Sequence, residues 1–272
     1  MNAAQEAVLA HHHAAATMWG RGGKHYDDVS FAISDALAHA AQRLNAGPGE
    51  RVLDVATGTG WSARNVARMG AMVTAVDISE ELLTAARELS AHLRPPIEFR
   101  RADAERLPFE DGAFDAVIST FGVMFAFDQP RAAAELARVS RPGGRLALTT
   151  WTPTDAVAQF FGIIAQHSDA PPPPLSPLAW GDPMEVEKLL GKAFELTFEH
   201  GVSNAYHGSV GEVWDWYARG FGPLRALAES LPPDRADRLK QDVDAYHRHY
   251  AVPAGLHVKR DYLLVLGRRR QA

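Results

Sequence analysis

The chain has 272 residues, 46% of them hydrophobic and 22% charged, a composition that excludes intrinsic disorder and fibrous repeats. Its 28 Lys and Arg against 33 Asp and Glu give a formal charge of −5, the wrong sign for a protein that holds nucleic acid by neutralising phosphates. With no cysteine, disulfides, thiolate nucleophiles, Cys-zinc sites and iron–sulfur clusters are excluded together, so chemistry must come from oxygen, nitrogen or a bound cofactor.

The opening segment has no positive start and breaks its apolar stretch at His11, His12 and His13, so it does not read as a secretory signal, and no segment is apolar for long enough to span a bilayer. A cytoplasmic setting is the default expectation. Consecutive side chains on a helix diverge, so the three histidines are expected to be solvated and no metal site is expected.

Residues 28–45 place Val29, Ile33, Ala36, Leu37, Ala40 and Leu44 on one helical face, closed by Gly47-Pro48-Gly49. The β-branched run Arg51 to Val55 meets a glycine cluster, a helix follows from Ser62 to Met69, and Ala71 to Val76 is a second strand ending at Asp77. Strand, helix and strand in that space make a βαβ unit. Ser79 can cap a helix with Glu80 and Glu81 in its first turn, running to His92 before Pro95-Pro96. Ile97 to Arg101 and Phe114 to Ser119 are further strands, Gln129 to Val139 a helix, and Arg145 to Trp151 a fifth strand after the stop-and-turn run Arg141 to Gly144. The alternation predicts an α/β fold with a doubly wound, Rossmann-like sheet, mostly parallel with an antiparallel last strand.

Beyond Trp151, residues 155–167 and Asp182 to Leu190 read as helices and Phe194 to Tyr206 as a strand. Residues 209–250 are helical and aromatic, His257 to Leu266 is a closing strand, and Arg268 to Arg270 read as a solvated tail. The whole is expected to be a single domain over 1–272: an N-terminal helical lid (1–47), a Rossmann-like core (48–206), a helical substrate cap (207–255), and a closing strand with its tail (256–272).

The chemical signal lies in Asp54-Val55-Ala56-Thr57-Gly58-Thr59-Gly60-Trp61-Ser62-Ala63. Gly58 and Gly60 let a ligand approach the backbone where a helix begins. The run also satisfies the loose pattern G-x-G-x-x-A, with Asp77 17 residues beyond Gly60, so at this point a nicotinamide oxidoreductase and an adenosine-binding methyltransferase are both open.

Four ordered motifs, DVATGTGWSA, AVDIS, RRADAERLPFEDGAFDAVIS and RVSRPGGRL, resemble those of the class I S-adenosylmethionine-dependent methyltransferases. The nearest similarity is to the branch that includes ubiquinone and menaquinone biosynthesis enzymes and many small-molecule enzymes. The resemblance covers roughly residues 50–150, about a domain core. It implies S-adenosylmethionine as cofactor and transfer of its methyl group to O, N or C of a small acceptor. By position it implies that Asp54, Ala56, Gly58 and Gly60 hold the methionine portion, with Ala56 a mild departure from the family's usual glycine. Asp77 is then the acid for the ribose hydroxyls, Ile78 lies against the adenine, Asp103 and Ala104 contact the adenine, and Thr120 and Phe121 lie near the transferred methyl. Asp115, although part of the family's Phe-Asp pair, is read as structural.

Methyl transfer needs in-line alignment and only optionally a base. His25, Tyr26, His207 and His257 are the catalytic candidates. Phe125, Trp214, Trp216, Tyr217 and Phe221, with Phe121, could wall an apolar acceptor pocket, or could simply pack the cap on the core. The expected partner is a small, partly aromatic or apolar methyl acceptor rather than nucleic acid or a membrane. A dehydrogenase is disfavoured because no Tyr-x-x-x-Lys pair follows the fourth strand, and a nucleic-acid amino-methyltransferase because Ser119-Thr120-Phe121-Gly122 stands where an Asn/Asp-Pro-Pro-aromatic run would be expected. The alternatives that stay open are an NAD(P)-dependent oxidoreductase and a non-catalytic S-adenosylmethionine-binding protein.

Overall fold

The computed structural model describes residues 7–271; residues 1–6 and Ala272 lie outside the described residues, and with them the first part of the segment that lacks signal character. A 3-10 turn at Ala10–His12 leads into helix α1 (His13–Gly20), then a second turn at Gly23–His25 into α2 (Tyr26–Phe31) and α3 (Ser34–Leu44). The single helix expected over 28–45 is therefore broken: Ile33 leaves the helical region at φ −122°, which directs this apolar residue into the site described below.

The core follows as β1 (Arg51–Val55), α4 (Trp61–Arg68), β2 (Met72–Asp77), α5 (Glu80–Ser90), β3 (Glu98–Arg101), β4 (Phe114–Thr120), α6 (Gln129–Val139) and β5 (Ser140–Trp151). Local chemistry accounts for the boundaries. Ser79 caps α5 by accepting from the Leu82 N–H, and Asp128 caps α6 by accepting from the Arg131 N–H. The stop at Arg141 to Gly144 corrects the expected turn: β5 already begins at Ser140, and a register shift opposite Phe114 and Ala116, with Gly143 at φ +71°, absorbs the extra residues as a bulge.

The remainder is α7 (Ala156–His167), α8 (Pro183–Leu190), β6 (Phe194–His207), α9 (Val210–Gly220), α10 (Gly222–Ser230), α11 (Pro233–Arg248), β7 (Ala251–Val252) and β8 (Gly255–Arg269). All strands join one sheet in the order β3-β2-β1-β4-β5-β8-β6, with β7 on β8. Strands β1 to β5 pair in parallel; β8 runs antiparallel between β5 and β6. Arg269 and Arg270 are not a solvated tail, because Arg269 donates to the Ala137 and Ala193 carbonyls and Arg270 to that of Gly191.

The central strands are buried on both faces and therefore read as continuous apolar runs. A second, smaller apolar cluster ties the cap to the outer strands through Phe160, Phe221, Leu224, Leu239, Val243 and Tyr246. The winding direction reverses beside β1, between β2 and β4, which opens a crevice at the carboxyl ends of β1 and β4. No helix of the described residues is long and apolar enough to cross a membrane.

Candidate active site

The crevice holds a cavity of about 950 Å³, measured with its open mouth, between the β1–α4 loop, the ends of β2 to β4 and the N-terminal helices. Ala56, Gly58, Asp77, Ile78, Asp103, Ala104, Thr120 and Phe121 all line it. Asp54 and Gly60 do not, which corrects their expected direct contact with the ligand. Asp54 is fully buried behind the loop, accepting from the Thr57 hydroxyl at 2.5 Å, and burial pushes its carboxyl up to about 7 against the hydrogen bonds from Thr57 and the Ala63 N–H. Gly60 at φ +86° starts α4 and packs close to Ala86 and Phe99. Both residues shape the loop from behind.

Asp77 does two jobs at once. Its oxygens accept from the Gly58 N–H at 2.8 Å and the Ser79 N–H at 2.9 Å, and each keeps a lone pair for a ligand diol. Burial pushes its carboxyl up despite those bonds. Asp103 is more heavily engaged: Oδ2 accepts from the Leu9 N–H and His12 Nδ1, Oδ1 from the Glu105 N–H, leaving capacity on Oδ1 alone. Between these two acids the wall is apolar, formed by Ile78, Leu82, Ala102 and Ala104. Two acidic acceptors flanking an apolar slot, next to a glycine loop at a helix start that lacks a side-chain cap, form a donor and acceptor set that fits an adenosine with a charged amino-acid tail.

The N-terminal histidines are the clearest correction. His12 is 7% exposed, its Nδ1 at 2.7 Å from Asp103 and its Nε2 at 3.2 Å from Glu105, and His11 Nε2 lies 2.9 Å from the other Glu105 oxygen. Of the three, only His12 is buried and lines the cavity, while His11 and His13 are exposed as expected. Two neighbours in a tight 3-10 turn meet one residue because Glu105 offers two oxygens. Among the described residues, one donor atom each from His11, His12 and Glu105 lies within 4.8 Å of the others, an arrangement already closed by hydrogen bonds.

A second cavity of about 750 Å³ adjoins the first, and Trp19, Tyr26, Ile33, Phe121 and Phe125 line both. Beyond this neck it is walled by rings from the cap and α7, including Trp216, Tyr217, Phe221 and Phe160. Trp214 is not among them: its ring lies against the Lys240 ammonium at 5.5 Å, which corrects its place in the expected pocket. Of the catalytic candidates, Tyr26 stands in the neck and His207 in the second cavity. His25 lies in neither and faces Asp28 at 3.8 Å with a half-exposed side chain, while His257 lies outside both, stacking on Tyr206 and bonding to Asn204 Oδ1 at 2.8 Å. Burial, then the nearby Asp77 charge, holds the Tyr26 hydroxyl far above its usual range. Burial, then the charges of His247 and Arg260, pushes His207 down to about 4. Composition hid other wall residues: Trp151 and Arg260, on strands that read as plain core strands, and His247, on the polar helix α11.

The N-terminal helices are held against α9 and α10 by close backbone approaches. Added Cβ atoms would come within 2.3 Å of the Gly220 carbonyl at Gly22, within 2.6 Å of the His25 carbonyl at Gly220, and within 2.3 Å of the Met18 carbonyl at Gly222. Asp27 of α2 pairs with the buried Arg64 of α4 at 2.9 Å, and the Trp19 ring meets Phe125 and Phe221 edge-on.

Residues 53–148 match the model of a methyltransferase domain. The chain is 34% identical to an uncharacterized protein, Rv1405c, of Mycobacterium tuberculosis over 228 residues, 81% of each chain. It is 35% identical to the demethylmenaquinone methyltransferase of Beutenbergia cavernae over 159 residues, 55% of this chain and 65% of that one. The fold superposes on the YcgJ protein of Bacillus subtilis with a TM-score of 0.63 at 18% identity, covering 88% of this chain and 99% of that one.

Proposed function

This chain belongs to the class I S-adenosylmethionine-dependent methyltransferases, and from that premise we propose that its acceptor is a small, partly aromatic or apolar molecule bound in the second cavity. The enzyme is a transferase with S-adenosylmethionine as cofactor, which removes the oxidoreductase and the non-catalytic binding protein as readings of this chain. The observation that carries the acceptor reading is the shared neck: five residues line both cavities, so a ligand in each would meet there.

The loop from Ala56 to Gly58 and Thr120 would receive the amino-acid tail, Asp77 the ribose hydroxyls, and Ile78, Asp103 and Ala104 the adenine. When bound, the cofactor supplies a methyl group on a sulfonium, open to in-line displacement. Phe121 and Phe125 would orient the acceptor, and alignment accounts for most of the acceleration such a displacement needs. Trp19 and Tyr26 close the neck and exclude water. Tyr26 keeps its proton and would donate a hydrogen bond rather than act as base. His207, neutral at physiological pH, would accept or donate a hydrogen bond to the acceptor. In this reading the described part of the expected lid, residues 7–47, closes over the site, and 207–255 form the cap of one domain.

The test is a screen of aromatic phenols, amines and enols for S-adenosylhomocysteine release, followed by kinetics on Tyr217→Ala. A rise in acceptor KM with unchanged donor affinity supports the reading; equal loss of both overturns it.

A further inference from the structure

One buried charge in the second cavity has no carboxylate in direct contact with it. Arg260 of β8 is only 7% exposed and lines that cavity. Its Nη2 donates to the Ala32 carbonyl and, at 3.1 Å, to the Ser203 hydroxyl. Nε is buried without an acceptor, and Nη1 makes no hydrogen bond to a described residue. Among the described residues no carboxylate oxygen comes within 4.0 Å of it. Asp35 reaches it through Ser203, whose hydroxyl donates to Asp35 at 2.8 Å, and Asp155 caps α7 with Oδ1 through the Val157 and Ala158 N–H groups while its Oδ2 has no hydrogen-bond partner, so both acids act on Arg260 only at a distance. The Trp151 ring at 5.8 Å offers only its π face.

A guanidinium this buried is normally paired with an anion and has its donors satisfied. An apolar cavity can stay dry, but this one carries a permanent charge on its wall. Resting on the reading that the second cavity takes the acceptor, we infer that the acceptor carries a carboxylate, which Arg260 receives in the wall of that cavity.

The lining distinguishes the groups available to the carboxylate from those that form the neck. Arg260, His207 and His247 line only the second cavity, whereas Trp19, Tyr26, Phe121 and Phe125 line both. The carboxylate is thus a handle, and the atom that takes the methyl is the one presented at the shared neck. His247 donates Nδ1–H to the Val243 carbonyl at 2.7 Å, which leaves Nε2 as its titrating nitrogen. Burial lowers both histidines, and His207 also feels Arg260, so an arriving anion that neutralises Arg260 raises His207. Guanidinium suits a planar carboxylate better than an ammonium does, so Lys is not an equivalent at this position.

The probes are 2-naphthoate and its neutral isostere 2-naphthamide, titrated into the wild-type protein saturated with S-adenosylhomocysteine and read by 15N shifts of the Arg260 Nε–H and by the His207 titration. The expected result is naphthoate binding at least about tenfold tighter than naphthamide, with a shifted Nε–H and a raised His207 titration midpoint. In Arg260→Gln the preference is expected to vanish, and in Arg260→Lys to fall. Equal binding of the two probes to the wild type overturns the inference while leaving the cavity as acceptor site. Binding of neither, with S-adenosylhomocysteine still bound, overturns the acceptor reading and this inference with it. The wild-type comparison stands alone if an Arg260 variant fails to fold.

Discussion

Ala56 and Gly122 approach each other so closely across the ends of β1 and β4 that a Cβ on Gly122 would lie 2.5 Å from the Ala56 Cβ. Ala56 itself sits at φ +56°, in the left-handed region that costs a non-glycine residue about 1–2 kcal/mol. The departure from glycine at this position is therefore not mild in conformational terms: the loop forms, but under strain, at the floor of the donor cavity.

Ala56→Gly is expected to relieve that strain by about 1 kcal/mol net of the extra unfolded-state entropy, raising Tm by roughly 2–4 °C. Gly122→Ala is expected to push the two strand ends apart and lose about 1–3 kcal/mol together with most donor affinity. Calorimetric melting and S-adenosylhomocysteine titration check both; an Ala56→Gly protein that melts lower than the parent contradicts the strain argument.

The lid gives a second test. Gly222 leaves no room for a side chain beside the Met18 carbonyl, so Gly222→Ala is expected to lift α1 from the cap. Because the neck residue Trp19 follows Met18, the expected effect is a roughly tenfold weaker donor affinity, the scale of a 1–3 kcal/mol overpacking penalty, with the β-sheet core unchanged. Hydrogen exchange over residues 13–31 locates the change; uniform protection with weaker binding would place the defect elsewhere.

The sheet and the crevice at its switch point were legible because their signals are local. β-branched runs, the capping of α5 by Ser79 and the glycines at 58 and 60 each act within a turn of one another. What depended on distant pairing was not legible. His12 reaches Asp103 across 91 residues, and nothing near His12 announces it. Arg260 points into a cavity because β8 alternates in step with β6 and β5, a register that no single strand reveals. Trp214 and Trp216 stand two residues apart on one helix and point to nearly opposite sides, but which side meets the cavity depends on how α9 packs: Trp214 meets Lys240 of α11 and Trp216 lines the second cavity.

The His12 bridge carries a pH dependence. Burial lowers His12, but the hydrogen bond to Asp103 and the charges of Asp103 and Glu105 outweigh it and raise it above 6.5. Burial likewise raises Asp103, and His12 with the Glu105 and Leu9 N–H groups outweighs that and lowers it. Stability from a raised histidine is present in full below its unfolded value and is lost as pH rises through the folded one; that from the lowered Asp103 is lost only as pH falls through its own lowered value. The lid is therefore held from acid pH, above the Asp103 titration, to the His12 titration above 6.5. On deprotonation His12 can keep Nδ1–H on Asp103 while Nε2 accepts from the Phe127 N–H, so the loss falls on Glu105. Donor affinity is expected to weaken as pH rises through the His12 titration, and His12→Asn to flatten that profile. An unchanged slope in the variant would assign the dependence to another group.

The rings of the second cavity separate acceptor binding from packing. Trp216 and Tyr217 line it, and Tyr217 stacks on Phe160 at 4.8 Å, whereas Trp214 is turned to Lys240. Trp216→Ala is expected to raise acceptor KM by roughly tenfold, the cost of a lost aromatic wall, with donor affinity unchanged. Trp214→Ala removes a ring that touches no ligand, so it is expected to lower Tm and leave acceptor KM within about twofold. The contrast is decisive because both residues belong to α9 and share its solvent exposure class. If Trp214→Ala raises acceptor KM as much as Trp216→Ala does, the helix matters as a packing unit and the second cavity loses its claim to the acceptor.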